Sequence, residues 1–255
     1  KELRYRHRYL DLIVNPHIKE VFITRAKTIT AIRSFLDKSG YLEVETPILQ
    51  PIYGGANAKP FKTHHNTLDQ DLYLRIADEL YLKRLIIGGF EKVYEISKNF
   101  RNEGMDRNHN PEFTMLEFYV SYADVYTMMK YTEHMIKNVC KKLSIDKIDI
   151  KKDFDKEDFF DSIKKYSNID IINKSEKDLK SILNDEGIKI NKNLNYGNLL
   201  DKIFSHYVEP NLINPTFIYN YPLSISPLAK ESRDKSGIVE RFELFINGME
   251  IANSF

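Results

Sequence analysis

The chain has 255 residues, with 38 lysines and arginines against 37 aspartates and glutamates, a formal net charge of +1. That balance excludes a global basic coat for nucleic acid but leaves room for a local basic patch, and the length suffices for one large domain or two small ones. The single cysteine, Cys140, excludes a disulfide framework and a Cys-rich zinc module and fits a reducing compartment, while no apolar run approaches the ~20 residues that cross a bilayer. Charge is unevenly spread. Every arginine lies between Arg4 and Arg107 or at Arg233 and Arg241, and the stretch from about Lys137 to Asn211 is rich in Lys, Asp, Asn and Ile instead. Its charge mixture predicts a solvated helical insertion. Any bidentate grip on phosphate belongs outside it, because only arginine offers a planar fork.

The opening KELRYRHRYLDLIVNP interleaves Arg4, Arg6, Arg8 and His7 with Tyr5 and Tyr9. It reads as an RNA contact or as a solvated lead-in to a helix. From His17 the apolar residues Ile18, Val21, Phe22, Ala26, Ile29, Ile32, Phe35 and Leu36 recur at helical spacing, and Gly40 supplies a stop. YLEVETPIL then alternates as an exposed-edge strand that Pro47 ends. The adjacent Gly54 and Gly55 mark a turn or a backbone that can approach a ligand closely. LYLRIADELYLKRLIIGG reads as a short strand and a helix from about Ala77, with Leu80, Leu82, Leu85 and Ile86 inward. Glu79 at its start reads as an ordinary solvent-facing N-terminal carboxylate.

Two hairpins follow. The first pairs strands at about Lys92 to Arg101 and Glu112 to Val120 around a polar loop. Alternation puts Phe113, Met115, Glu117 and Tyr119 on one face, with large apolar groups on both, which predicts a central, covered strand. A carboxylate there is costly unless a cation meets it, so Glu117 calls for a partner from the protein or from a ligand. The second hairpin, VERFELFINGMEIANSF, turns at Asn247-Gly248, a type I′ signal that pairs Ile246 with Met249 and Phe245 with Glu250. Glu243 then shares a face with Glu250, roughly 7–8 Å away along the diagonal. The pair suggests a divalent-cation site with oxygen ligands, or a solvated face with two acids. The chain stops with IANSF directly after this strand, the pattern expected of a fragment.

FRNEGMDRNHNPEFTMLEFY closely resembles the second signature motif of class II aminoacyl-tRNA synthetases in its lysyl form, and GYLEVETPIL resembles the first. YGGANAKPF, RIADELYLKRL, SISPLAK and RFELFINGMEIANSF are similar to segments of lysyl-tRNA synthetases in the same order. The likeness covers about Lys1 to Asp124 and Asn214 to Phe255, and is looser between them. It implies an α+β fold, an antiparallel sheet flanked by helices, with a helical insertion. The corresponding divisions are 1–136 for the first part of the catalytic core, 137–212 for the insertion and 213–255 for the second part. It also implies ATP-dependent activation of L-lysine, with Mg2+, and transfer to tRNA(Lys).

Carried over residue by residue, the resemblance makes Arg101 the catalytic grip on the α-phosphate and the amino-acid carboxylate; the plain alternative is a strand-end arginine paired with Glu103. Glu103, His109, Asn110 and Phe113 become ATP-side residues, with adenine stacking on Phe113. Glu79 and Glu117 become the acids that meet the ε-ammonium, with Gly55, Tyr119, Asn253 and Phe255 lining the lysine site. Glu243 and Glu250 become magnesium ligands. Simple alternation sets Asn253 and Phe255 on the opposite face from Glu250, so these roles require a bulge or twist near Ala252. The resemblance further implies a homodimer through the first motif and a cytoplasmic or organellar, membrane-free setting.

Three departures stand out. The third motif and a further acid would lie beyond Phe255, the anticodon-reading barrel would precede Lys1, and Asn108 stands where some relatives have arginine, which neighbouring Arg107 could replace. The competing readings are a paralogue that aminoacylates a protein side chain and a non-catalytic dimerisation or RNA-binding fragment.

Overall fold

The computed structural model describes residues 2–106, 108–190, 194–226 and 229–255. Lys1 of the basic lead-in, Arg107, and Pro227 and Leu228 of the SISPLAK segment lie outside the described residues. The chain divides into two units, Lys1–Ala123 and Asp124–Phe255, which together give the mixed α and β, antiparallel-rich architecture expected.

In the first unit, α1 (Glu2–Arg6) and α2 (Arg8–Val14) precede the long α3 (Lys19–Lys38). The lead-in is stapled rather than free: Arg4 Nε and an Arg8 terminal nitrogen donate to the buried Asp11 carboxylate at 2.7 and 2.6 Å, and Asn15 donates at 2.8 Å. The apolar stripe predicted for α3 is inward only along its C-terminal half. Leu36 is fully buried and Ile29, Ile32 and Phe35 half-buried, whereas Val21, Phe22 and Ala26 are exposed. Arg33 in that later half pairs with Glu43 of β1 (Leu42–Glu43) at 2.9 Å, so the period marks the helix but not how much of it is covered.

Short β2 (Leu49–Gln50) pairs with β4 (Gln70–Leu74), which also pairs with β3 (Lys62–His65), all antiparallel. Helix α4 (Glu79–Ile87) follows, two residues later than its apolar pattern suggests. Leu82 is fully buried, but Leu80 is 39% exposed and so is not inward as predicted. β5 (Lys92–Phe100) and β6 (Glu112–Val120) form the predicted hairpin, and β1 joins β5 in parallel, giving the order β1-β5-β6. β6 is therefore an edge strand among the described residues and mostly half-buried, not central and covered. Large apolar groups on both faces reflect partial burial on each side.

The second unit opens with α5 (Val125–Leu143), capped by the Asp124 carboxylate on the Thr127 amide. β7 (Asp155–Asp158), α6 (Phe159–Ser167), α7 (Glu176–Asp185) and α8 (Tyr196–Tyr207) come from the Lys/Asp-rich stretch, whose regular elements among the described residues are thus helices apart from one strand. A sheet of order β10-β9-β8-β7 completes the unit, with β8 (Thr216–Tyr219), β9 (Phe242–Ile246) and β10 (Met249–Ser254). Phe159, Phe204, Tyr221 and Phe245 bury their rings together beneath it, each large apolar side chain contributing about 1.5–3 kcal/mol. Phe245 anchors β9 in this core. Among the described residues, no helix is long and apolar enough to cross a membrane.

Candidate active site

The β5–β6 register aligns Val93, Glu95, Ser97 and Asn99 with Tyr119, Glu117, Met115 and Phe113. Paired residues of antiparallel strands share a face, so one side of this hairpin carries Glu95 and Glu117 directly opposite each other. Two like charges so placed repel unless something intervenes. For Glu95 the answer is Arg75, only 2% exposed, whose terminal nitrogen donates to Glu95 Oε1 at 2.8 Å. The other Glu95 oxygen accepts the Thr46 hydroxyl at 2.7 Å and the Thr46 amide at 3.2 Å. Arg75 also meets Asp78 at 3.2 Å, and Asp78 accepts the Ser97 hydroxyl. Burial pushes the Asp78 carboxyl above the usual carboxylate range. Sequence reading passed over this network, although Arg75 and Asp78 stand three apart and Glu95 is the register partner of Glu117.

Glu117 is held differently. The Asp78 amide donates to its Oε1 at 3.0 Å and the Tyr119 hydroxyl to its Oε2 at 2.8 Å. Both donors are neutral, and among the described residues no lysine, arginine or histidine pairs with it. Burial raises its pKa to about 7, with the neighbouring Asp78 and Glu79 charges adding to the effect. Burial and the Glu117 charge push the Tyr119 phenol up as well. Glu79 is not the solvent-facing carboxylate predicted from its helix position: it is 6% exposed, and Lys83 Nζ donates to it at 2.6 Å. Gly55 lies against it. With φ at +86°, and with a Cβ there falling 3.0 Å from Glu79 Cβ and 3.1 Å from Ala77 Cβ, only glycine fits.

The loop residues are ordered by backbone bonds. Arg101 does not pair with Glu103; its guanidinium lies 5.1 Å from the Phe113 ring centroid, a cation–π contact, and its Nε reaches the Ile76 carbonyl at 3.4 Å. Glu103 instead accepts the Lys59 amide at 3.3 Å. His109 Nδ1 lies 2.8 Å from Asp106, whose other oxygen caps the Asn108 and His109 amides, so this loop histidine is anchored although exposed. Asn110 donates to the Glu112 carbonyl.

In the second unit, Asn247 and Gly248 have φ of 55° and 69°, the two positive values that a type I′ turn needs. Ile246 pairs with Met249 and Phe245 with Glu250, as predicted; the register then slips, so that Ala252 pairs with Leu244 and Asn253 with Glu243. This bulge returns Asn253 to the face of the two glutamates. Its amide nitrogen lies 3.1 Å from Glu243 Oε1 and 3.3 Å from Glu250 Oε1. Arg241, unassigned by sequence reading, organises the group: it pairs with Glu243, donates to Asn253 Oδ1 at 3.2 Å and to Ser226 and Ile225, and stacks on Tyr221. Tyr221 donates to the other Glu243 oxygen at 2.7 Å. Burial, then Glu250, raises Glu243 to about 7. Glu250 is open to solvent along one side, yet the protein around its carboxyl and the charges of Glu209 and Asp201 raise it too. Phe255, just past β10, is exposed.

Among the described residues no group of three or more His, Cys, Asp or Glu side chains is arranged to hold a metal. Two hard carboxylates that share one donor nonetheless fit magnesium, which takes one or two protein carboxylates and completes its shell with water and substrate phosphate.

Residues 1–255 match the family described as tRNA synthetases class II (D, K and N). The chain belongs to that family. Among curated relatives, this class II synthetase chain is 48% identical over 262 residues to the lysine--tRNA ligase of Porphyromonas gingivalis, covering 100% of the chain and 45% of that protein. It is 51% identical over 263 residues to the lysine--tRNA ligase of Helicobacter pylori, covering 100% of the chain and 52% of that protein. The chain thus spans about half the length of the curated relatives it matches.

Proposed function

We propose that the protein carrying this chain is a lysine–tRNA ligase, activating L-lysine with ATP and charging tRNA(Lys). The observation that carries the reading is Glu117: a desolvated acid oriented by two neutral donors, beside the buried Glu79, is built for a cation that none of the described residues supplies. Desolvated acids meet an ε-ammonium and reject neutral or acidic side chains, because those would leave the site's own charges unpaired. Tyr119 fixes the carboxylate and Gly55 leaves room beside Glu79. Asn253 and Phe255 keep the lysine-contact roles that the resemblance implies.

In the reaction, a lysine carboxylate oxygen attacks the α-phosphorus, the bond to the bridging oxygen breaks and pyrophosphate leaves. A terminal ribose hydroxyl of tRNA then attacks the activated carbonyl and AMP leaves. Arg101 is the catalytic residue, its fork spanning phosphate and carboxylate while its contact with Phe113 helps to orient it. Glu103, His109, Asn110 and Phe113 serve ATP. Glu243 and Glu250 would hold Mg2+, which when bound offsets phosphate charge. The exposed Val21, Phe22, Leu42, Ile48 and Leu49 around the first motif support a homodimer, and the lone cysteine supports a cytoplasmic setting. The divisions at 136 and 212 remain part of this proposal.

The test is ATP–pyrophosphate exchange by the full-length protein carrying this chain. We expect exchange to require L-lysine and to be abolished by Arg101→Ala. Exchange with another amino acid, or none at all, would sink the reading.

A further inference from the structure

Glu95 and Glu117 leave the same sheet face about 5 Å apart, within reach of one guanidinium. Arg75 is the cation at hand, yet of these two acids it meets only Glu95, its other ionic contact being Asp78 at 3.2 Å. What decides this is the set of tethers around it. Its Nε donates to the Lys98 carbonyl at 2.9 Å, and one terminal nitrogen donates to the Thr46 carbonyl at 3.0 Å, the Thr46 hydroxyl oxygen at 3.1 Å and Glu95 at 2.8 Å. Thr46 binds the opposite oxygen of Glu95 with both its amide and its hydroxyl. The Thr46 hydroxyl therefore accepts from Arg75 while donating to Glu95, locking the two together. Glu117 has no such lock.

We propose that Glu95 is a positioning residue that sequesters Arg75, so that the protein's own guanidinium does not occupy the acid that receives the substrate's ammonium. The inference rests on the lysine-activating reading above. An arginine freed from Glu95 would be a competitor inside the site: were it to occupy Glu117 nine-tenths of the time, apparent lysine affinity would fall about tenfold. Lysine selectivity then depends on a second acid that never touches lysine.

The experiment compares wild type, E95Q and the double variant E95Q/R75Q in the full-length protein, by pyrophosphate exchange and by calorimetric titration with L-lysine. E95Q should raise the lysine KM about tenfold with the ATP KM unchanged, and removing the freed cation in the double variant should return it to within about threefold of wild type. An unchanged lysine KM in E95Q overturns the proposal, and so does a double variant no better than the single, which would mark a merely structural role. If E95Q does not fold, Thr46→Val loosens the same lock. It should raise the lysine KM about threefold, again reversed by R75Q, and an unchanged value overturns the proposal. Wild-type protein without lysine-dependent exchange refutes the parent reading; wild-type exchange with an unaltered E95Q refutes this inference alone.

Discussion

Each unit sets two glutamates on one sheet face near a single arginine, and the two arrangements differ in how that cation is used. On the β5–β6 hairpin Arg75 is committed to Glu95, and Glu117 is left with an amide and a hydroxyl. On the β9–β10 hairpin Arg241 pairs with Glu243 and orients Asn253, whose amide group lies against both acids. The first arrangement leaves one acid unneutralised, which suits a single ammonium. The second spreads one cation and one amide over two acids that still repel, which suits an incoming divalent charge. Charge allocation, more than the number of acids, separates the two sites.

The largest expected effect comes from removing the committed cation. Arg75→Met leaves Glu95 buried without its counter-charge, and breaking a buried pair by deleting one partner costs about 3–5 kcal/mol. Urea unfolding of the full-length variant measures it. A loss below about 1 kcal/mol would mean that the Arg75–Glu95 contact is worth no more than an exposed pair.

Removing the uncommitted acid should have the opposite sign. Below about pH 4.5 Glu117 is protonated in both folded and unfolded chains and contributes nothing. Between 4.5 and about 7 the unfolded chain releases its proton while the folded chain retains it, so stability falls as pH rises, and above about 7 the penalty is constant. Glu117→Gln should therefore stabilise the protein at pH 8 by about 2–3 kcal/mol and leave it unchanged at pH 4. The same variant should raise the lysine KM roughly 100-fold with the ATP KM unaltered. In wild type, lysine binding should strengthen as pH rises through about 7, because ammonium requires the ionised acid. A destabilised E117Q at pH 8, or a flat lysine profile, would remove the distinction drawn between Glu117 and Glu95.

At the second pair the expected change is smaller and electrostatic. Glu250→Gln deletes the second cause of the raised Glu243 pKa while leaving its burial in place. A carboxyl-carbon NMR titration should show the Glu243 midpoint falling by on the order of one unit. No movement would show that the acids do not share a field, and would undercut a common cation.

Much of this was legible in the residues. Period-two alternation fixed both ends of β6 and came within a residue of the end of β5, and Asn247-Gly248 fixed the turn and its register, because those signals are local. The conflict between simple alternation and the role that the resemblance gives Asn253 also called for a bulge or twist near Ala252, where the register slips. What could not be read is pairing at a distance. Arg75 meets Glu95 across 20 residues, and Thr46 meets it across 49. Neither local propensity nor hydrophobic period reports such contacts. Glu79 was misread for the same reason: its position predicts an exposed N-terminal carboxylate, and its burial against Gly55 depends on a loop more than 20 residues earlier.

The smallest expected effect tests whether the bulge sets Asn253 or merely tolerates it. Ile251 is the extra residue between Glu250, which pairs with Phe245, and Ala252, which pairs with Leu244. Ile251 is 47% exposed, so removing it forfeits little burial. Deleting Ile251 restores an unbroken ladder in which Ala252 still meets Leu244 and Asn253 still meets Glu243. Stability should change by less than about 1 kcal/mol, and the Glu243 midpoint should hold near 7, because Asn253 keeps its place between the acids. Inserting one alanine after Ala252 does the reverse, turning Asn253 to the other face and withdrawing the amide group from both carboxylates. The insertion should raise the Glu250 midpoint, since the Asn253 hydrogen bond is the largest influence lowering it. If deletion and insertion move the titration alike, the bulge does not set the alignment of Asn253, and Arg241 alone orders the pair.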